Sequence, residues 1–233
     1  MTARNLPRHA GNPIHTDAGA QAQGFPRALV AGVTTYAYLT HPIVAAWGEP
    51  WLAGGGGELR LRRPVFDADE VTCRPTPDGD AVVVDALTSS SGEPRASFRA
   101  VPDGGPPPAL RDGEVLPSRQ IVLDAEYASD YGWEAGDDLT IYRERGIVHP
   151  AVWPAVANTV THAELVRGPW IHLRSIVRHH AVVPAGATAD VYAVVVRRSQ
   201  RSGERAVLDV RIEVDGRPVA TLEHEAIVDL STA

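Results

Sequence analysis

Apolar positions along the chain follow two patterns in succession, and the succession occurs twice. From Arg27 to about Trp47 they recur at helical spacing through Leu29, Val33, Tyr36, Ala37, Leu39 and Val44, the signature of an amphipathic or buried helix, with a break or kink expected at Pro42. Alternating apolar and polar residues then predict strands at 58–66, 70–75, 81–87 and 95–101, with Asp78-Gly79-Asp80 and Ser91-Gly92-Glu93-Pro94 as turns. The run Gly54-Gly55-Gly56-Gly57 reads as a flexible turn, because it lacks the lysine and hydroxyl ending of a phosphate-binding loop. Residues 1–23 are polar and broken by Pro7, Pro13 and glycines, which predicts irregular chain.

After a stretch whose consecutive prolines fit neither sheet nor helix, the order repeats. The segment Gly146-Ile147-Val148-His149-Pro150 through Val156 echoes Gly24-Phe25-Pro26-Arg27 through Val33 at an offset of roughly 122 positions. A Thr-His pair stands in both helices, at Thr40-His41 and Thr161-His162. Strands are expected at 170–178, 190–198, 206–214 and 219–229, the last two joined by an Asp215-Gly216 hairpin turn. A helix followed by an antiparallel meander, written twice, argues for an α+β fold built by internal duplication. The units are residues 1–101, a Pro/Gly-rich linker at 102–117, and residues 118–233.

With 233 residues of which 44% are hydrophobic, the chain can bury a sizeable core. A formal net charge of −7 without any block of like charge argues against a nucleic-acid surface or a polybasic membrane patch. All 22 basic residues are arginine, which fits a GC-rich coding bias better than a chemical role. The single cysteine, Cys73, excludes an intrachain disulfide and argues against a thiolate metal site. Adjacent His179 and His180 on a strand point to opposite faces and cannot converge on one ion. No metal and no cofactor is therefore expected. With no signal-like start and no apolar run of spanning length, a soluble cytoplasmic protein is expected.

Candidate chemistry gathers near the N-terminus. In Gly11-Asn12-Pro13-Ile14-His15-Thr16-Asp17 a turn presents a titratable imidazole. The Gly24-Phe25-Pro26-Arg27 segment that follows leads into a helix whose first N–H groups can hold an oxyanion.

This Asn-Pro-Ile-His-x-Asp, followed by Gly-Phe-Pro-Arg, by Val30-Ala31-Gly32 and by Arg62-Arg63-Pro64-Val65-Phe66 with Asp69-Glu70-Val71, resembles the MaoC-like (R)-specific enoyl-thioester hydratase/dehydratase family. The resemblance is good over residues 10–75 and looser over 125–230. It implies a double hot-dog fold, with an antiparallel sheet wrapped around a long helix in each unit. It also implies an acyl thioester substrate, on coenzyme A or acyl carrier protein, to which water is added or from which it is removed. The family histidine falls on His15, its Asn-Pro turn on Asn12-Pro13 and its oxyanion glycine on Gly32. The aspartate of the family dyad falls on Ala10, and the histidine often found before the glycine is Ala31. His9, Asp17, or Asp137, Asp138 and His149 from the second half are the groups that could fill the gap. Val30, Ala31, Val33 and Tyr36 are the expected acyl-binding residues.

The second half lacks Asn-Pro-x-His and carries Pro154 opposite the oxyanion glycine, so one site per chain is expected, walled by that half. Hydration or dehydration is the first reading. Thioester hydrolysis, conjugate addition, cyclisation or acyl binding without chemistry are the alternatives, and a homodimer is one assembly open to the chain.

Overall fold

The β-rich segments assemble into a single antiparallel sheet that crosses both halves. The computed structural model describes residues 1–89, 91–201 and 203–230. In chain order the first half comprises α1 (Asp17–Ala22), α2 (Gly32–Gly54), β1 (Gly56–Leu61), β2 (Val71–Asp78), β3 (Ala81–Thr88) and β4 (Ser91–Val101). Between the halves lie β5 (Glu114–Val115) and β6 (Arg119–Leu123). The second half comprises α3 (Tyr131–Ala135), α4 (Ile141–Arg145), α5 (Val152–Leu165), β7 (Ile171–His179), β8 (Ala187–Gln200), β9 (Glu204–Val214) and β10 (Arg217–Asp229). The ten-stranded sheet runs β2-β3-β4-β1-β7-β10-β9-β8-β5, with β6 also on β8. The halves meet at β1 and β7, paired antiparallel from Gly56↔Arg178 to Arg60↔Arg174. That pairing covers an edge that either half alone would leave open.

Each half lays one helix on this sheet. Helix α2 is buried on nearly every side, through Val33, Tyr36, Leu39 and Ile43, so its apolar residues encircle it rather than forming a stripe. It continues through Pro42 and breaks at Gly48, whose φ of 60° is left-handed. The buried side chains of both halves form one continuous core. The Asp215-Gly216 turn has φ of 52° and 70°, as a type I′ hairpin requires. No helix among the described residues is long and apolar enough to cross a membrane.

Four expectations change. The glycine run is not a turn: Gly54 ends α2 and Gly56-Gly57 begin β1 between two neighbours. A Cβ on Gly57 would lie 2.4 Å from the Arg99 carbonyl oxygen and 2.6 Å from the Phe98 ring. Ser91 to Pro94 belong to β4. Residues 1–23 contain two 3-10 turns and α1.

The fourth change is the repeat register. The bridges Leu29↔Phe66 and Ile147↔Pro184 are equivalent, as are Val30 N–H to Val65 O and Val148 N–H to Val183 O. Their offset is 147 − 29 = 118. His149 thus stands opposite Ala31, and Pro150 rather than Pro154 opposite Gly32. A proline still replaces the glycine N–H in the second half.

Candidate active site

The proline-punctuated N-terminal arm builds the first wall. A proline has its φ already set for a helical start, and Pro7 and Pro13 each open a 3-10 turn, Pro7–His9 and Pro13–His15. Each turn ends on a histidine, which places the His9 and His15 rings 5.9 Å apart. Asn12 secures the loop, its Nδ2 donating over 2.9 Å to the buried Trp170 carbonyl of the second half. Asn5 Nδ2 donates to the His15 carbonyl.

The tautomer of His15 follows from its partner. A carbonyl oxygen only accepts, so the 2.7 Å contact between His15 Nδ1 and Leu29 O puts the hydrogen on Nδ1 and leaves the Nε2 lone pair available. Burial pushes the imidazole pKa down, and the Leu29 carbonyl opposes part of that shift. His15 is a neutral base at pH 7. His9 is pushed further, to about 3, by burial and then by the positive potential of His15 and Arg8. Its Nε2 lies 3.2 Å from the Tyr131 hydroxyl of α3, which lies 3.2 Å from Thr34 Oγ1 of α2.

Helix α2 begins at Gly32, and its N-cap Ala31 supplies no side-chain hydrogen bond. The Thr34 and Thr35 N–H groups donate to the Ala31 carbonyl, which leaves the Gly32 and Val33 N–H groups as the ones without an intrahelical or capping acceptor. A Cβ on residue 32 would lie 2.3 Å from Leu61 Cδ1 and 3.2 Å from His172 Nδ1. The backbone is therefore approachable only because the residue is glycine. His9, Asn12, His15, Val30, Ala31 and Gly32 all line one cavity of about 500 Å³.

The opposite wall comes from the second half. Ala155, Asn158, Thr159, His162 and Ala163 of α5 line the same cavity, at the spacing that shares one helix face. Trp170 and His172, at the start of β7, complete it. His172 Nε2 lies 2.8 Å from Ser175 Oγ, which lies 2.9 Å from His224 Nδ1. Burial lowers His172 to about 4, so this imidazole is also neutral at pH 7. At the rim Arg8 is held by Glu134 and Arg63 by Glu93, while Arg62 has no ion pair among the described residues. No aspartate or glutamate among the described residues lines the cavity; the lining instead carries the imidazoles of His9, His15, His162 and His172 and the phenol of Tyr127.

Several expected residues lie elsewhere. Ala10 is exposed and outside the lining. Asp17 does not turn inward; its Oδ1 accepts from the Ala28 N–H at 2.8 Å and fixes the loop. Asp137 and His149 are buried against each other, 3.1 Å apart, away from the cavity, and Asp138 is exposed. Of the groups that could fill the gap, only His9 reaches the cavity. Val33 and Tyr36 face the core, Tyr36 packing edge-on to Phe98 at 5.0 Å, and neither lines the cavity. Asn158, His162, Trp170 and His172 were not expected at the site from the sequence. Asn158 and His162, four apart on an apolar helix, form a polar stripe that periodicity could have exposed. Trp170 and His172 carried no such signal.

No family model and no curated protein matches the sequence. Solved structures do match in shape. A MaoC-like dehydratase is similar over 94% of this chain and 91% of its own, at 13% identity and a TM-score of 0.63. A conserved hypothetical protein of Mycobacterium tuberculosis with a double hotdog fold matches over 97% and 93%, at 15% identity and a TM-score of 0.71. A protein from Lactobacillus plantarum described as an oleoyl thioesterase matches over 86% and 90%, at 11% identity and a TM-score of 0.54. With a long helix from each half laid on one shared sheet, and with its repeat, the chain has the double hot-dog fold.

Proposed function

We propose that the cavity binds an acyl thioester of coenzyme A or acyl carrier protein and interconverts its 3-hydroxyacyl and enoyl forms. One observation carries the reading: His15, with its available Nε2, and Gly32, at the uncapped N-terminus of α2, line the same cavity. In the dehydration direction, Nε2 takes the C2 proton, and the electron pair moves onto the thioester oxygen, which the Gly32 N–H stabilises. The carbonyl re-forms as the 3-hydroxyl leaves. That hydroxyl takes the proton back from the same imidazolium and departs as water. A syn elimination needs only one base, which suits a wall without carboxylates. His9, neutral, backed by Tyr131 and in the same lining, is the group assigned to hydrogen-bond the departing oxygen. Arg62 and Arg63 at the rim suit the phosphate of the phosphopantetheine arm common to both carriers.

An imidazole base without a carboxylate partner also supports a second reading, hydrolysis of a saturated acyl thioester with His15 activating water. Crotonyl and 3-hydroxybutyryl thioesters, and longer homologues, distinguish the two through enoyl absorbance and thiol release. Interconversion that disappears in His15→Ala is the expected result. Absence of enoyl turnover at every chain length, with His15-dependent thiol release, would replace the first reading by the second.

A further inference from the structure

Away from the cavity, the junction between the halves gathers a second set of polar groups. His41 comes from the middle of α2, and Asp137 and Asp138 from the turn between α3 and α4. His41 Nε2 lies 2.8 Å from Asp138 Oδ1 and 3.7 Å from Asp137 Oδ1. The ligand atoms of all three residues lie within 4.8 Å of one another. Two ligands at about 2.0–2.1 Å from a tetrahedral zinc ion are separated by roughly 3.3 Å, so these spacings bracket a coordination edge.

The surroundings of Asp137 give the second argument. Its side chain has 0% exposure, and no arginine pairs with it among the described residues. His149 contacts it from behind, with Nε2 3.1 Å from Oδ2. The Ala151 N–H donates to His149 Nδ1, so that nitrogen is the acceptor and Nε2 carries the hydrogen. His149 is thus a neutral donor to the carboxylate and supplies no charge. This is the supporting bond that orients a metal-bound carboxylate from outside the coordination shell. The Leu139 N–H donates to Oδ1 at 2.9 Å. A buried carboxylate oriented from two sides and facing an imidazole calls for a cation on its third side. Asp138, 85% exposed, leaves that side open to entry and to water.

We infer that His41, Asp137 and Asp138 bind a divalent cation of the zinc type, which clamps α2 of the first half to the α3–α4 segment of the second. One nitrogen and two oxygens suit Zn²⁺ or Co²⁺; the imidazole disfavours Mg²⁺ and Ca²⁺, which take oxygen ligands. The same segment carries Tyr131, the partner of His9. The clamp therefore also steadies Tyr131 behind His9, yet its existence does not depend on the reaction proposed in the cavity.

Calorimetric titration of the chelator-treated full chain with Zn²⁺, alongside melting temperature with Zn²⁺ or Mg²⁺, tests the site. The expected result is saturable binding of one Zn²⁺ per chain that raises the melting temperature, with Mg²⁺ giving no rise. Asp138→Asn, at an exposed position that folding tolerates, and His41→Gln each weaken Zn²⁺ binding by about tenfold or more. His15→Ala leaves it unchanged. The absence of saturable binding, or Zn²⁺ affinity unaltered in both Asp138→Asn and His41→Gln, overturns the inference and leaves His41 as a salt-bridge partner of the two carboxylates.

Discussion

Replacing Gly32 by alanine separates what the helix start does for the fold from what it does for the proposed chemistry. The new Cβ lies 2.3 Å from Leu61 Cδ1, so Leu61 must turn away. Overpacking of that kind costs about 1–3 kcal/mol. Residue 32 has no left-handed φ, and alanine recovers up to about 1 kcal/mol of helix propensity. The net destabilisation is about 0–2 kcal/mol, which lowers the melting temperature by about 2–4 °C per kcal/mol in a chain of this size. Activity should fall much further. Leu61 lines the cavity, and its displaced side chain and the added methyl crowd the space beside the Gly32 N–H. Alanine keeps the N–H, so the expected fall comes from blocking its approach and tends toward the roughly 10²–10³-fold that loss of one oxyanion donor costs. Melting curves and enoyl-absorbance kinetics on the same preparation read both effects. A kcat within about threefold of the parent protein would refute the assignment of the thioester oxygen to the Gly32 N–H.

Two further predictions concern stability. Burial takes His172 and His179 from 6.5 down to about 4, so between these pH values the unfolded chain binds protons that the folded chain does not. The stability is complete above pH 6.5 and is lost as pH falls toward 4, by roughly 3 kcal/mol per histidine. Urea midpoints measured from pH 7 to pH 4.5 should decline, with a shallower decline in His179→Gln; a flat profile would show that these imidazoles protonate without cost. Gly57→Ala, whose Cβ meets the Arg99 backbone carbonyl, should cost about 3 kcal/mol or more, since backbone cannot rotate aside. Gly54→Ala, with nothing within 4 Å of the new carbon, should be neutral or stabilising, and equal melting temperatures for the two variants would contradict the close approach.

The glycine run shows where sequence reading stops. Four glycines look like a turn because local chemistry permits one, but Gly57 is needed where Phe98 and Arg99 of β4 press against β1. That demand comes from residues about forty positions away and leaves no local trace. The missing aspartate shows the same limit. Three sources for a replacement stood open in the sequence, Asp17 the least favoured of them, and only packing put His9 beside His15 while turning Asp17 to the Ala28 amide and Asp137 to His149. Even the repeat offset, roughly 122 by residue matching, required the equivalent backbone bridges to become 118.

Periodicity and turn chemistry determined the helix-and-meander unit and the hairpin at Asp215-Gly216, because each is written within a short stretch. The recurrence of that unit pointed to duplication, and the family resemblance of the N-terminal motif singled out His15 and Gly32. Tertiary structure alone decided that β1 and β7 fuse the halves into one sheet, and that α5 of the second half walls a cavity opened by the first. It also decided that His41 meets Asp137 and Asp138. Such juxtapositions depend on how two buried helices settle against one shared sheet. Their energy is spread over the whole core rather than stored in any stretch of sequence.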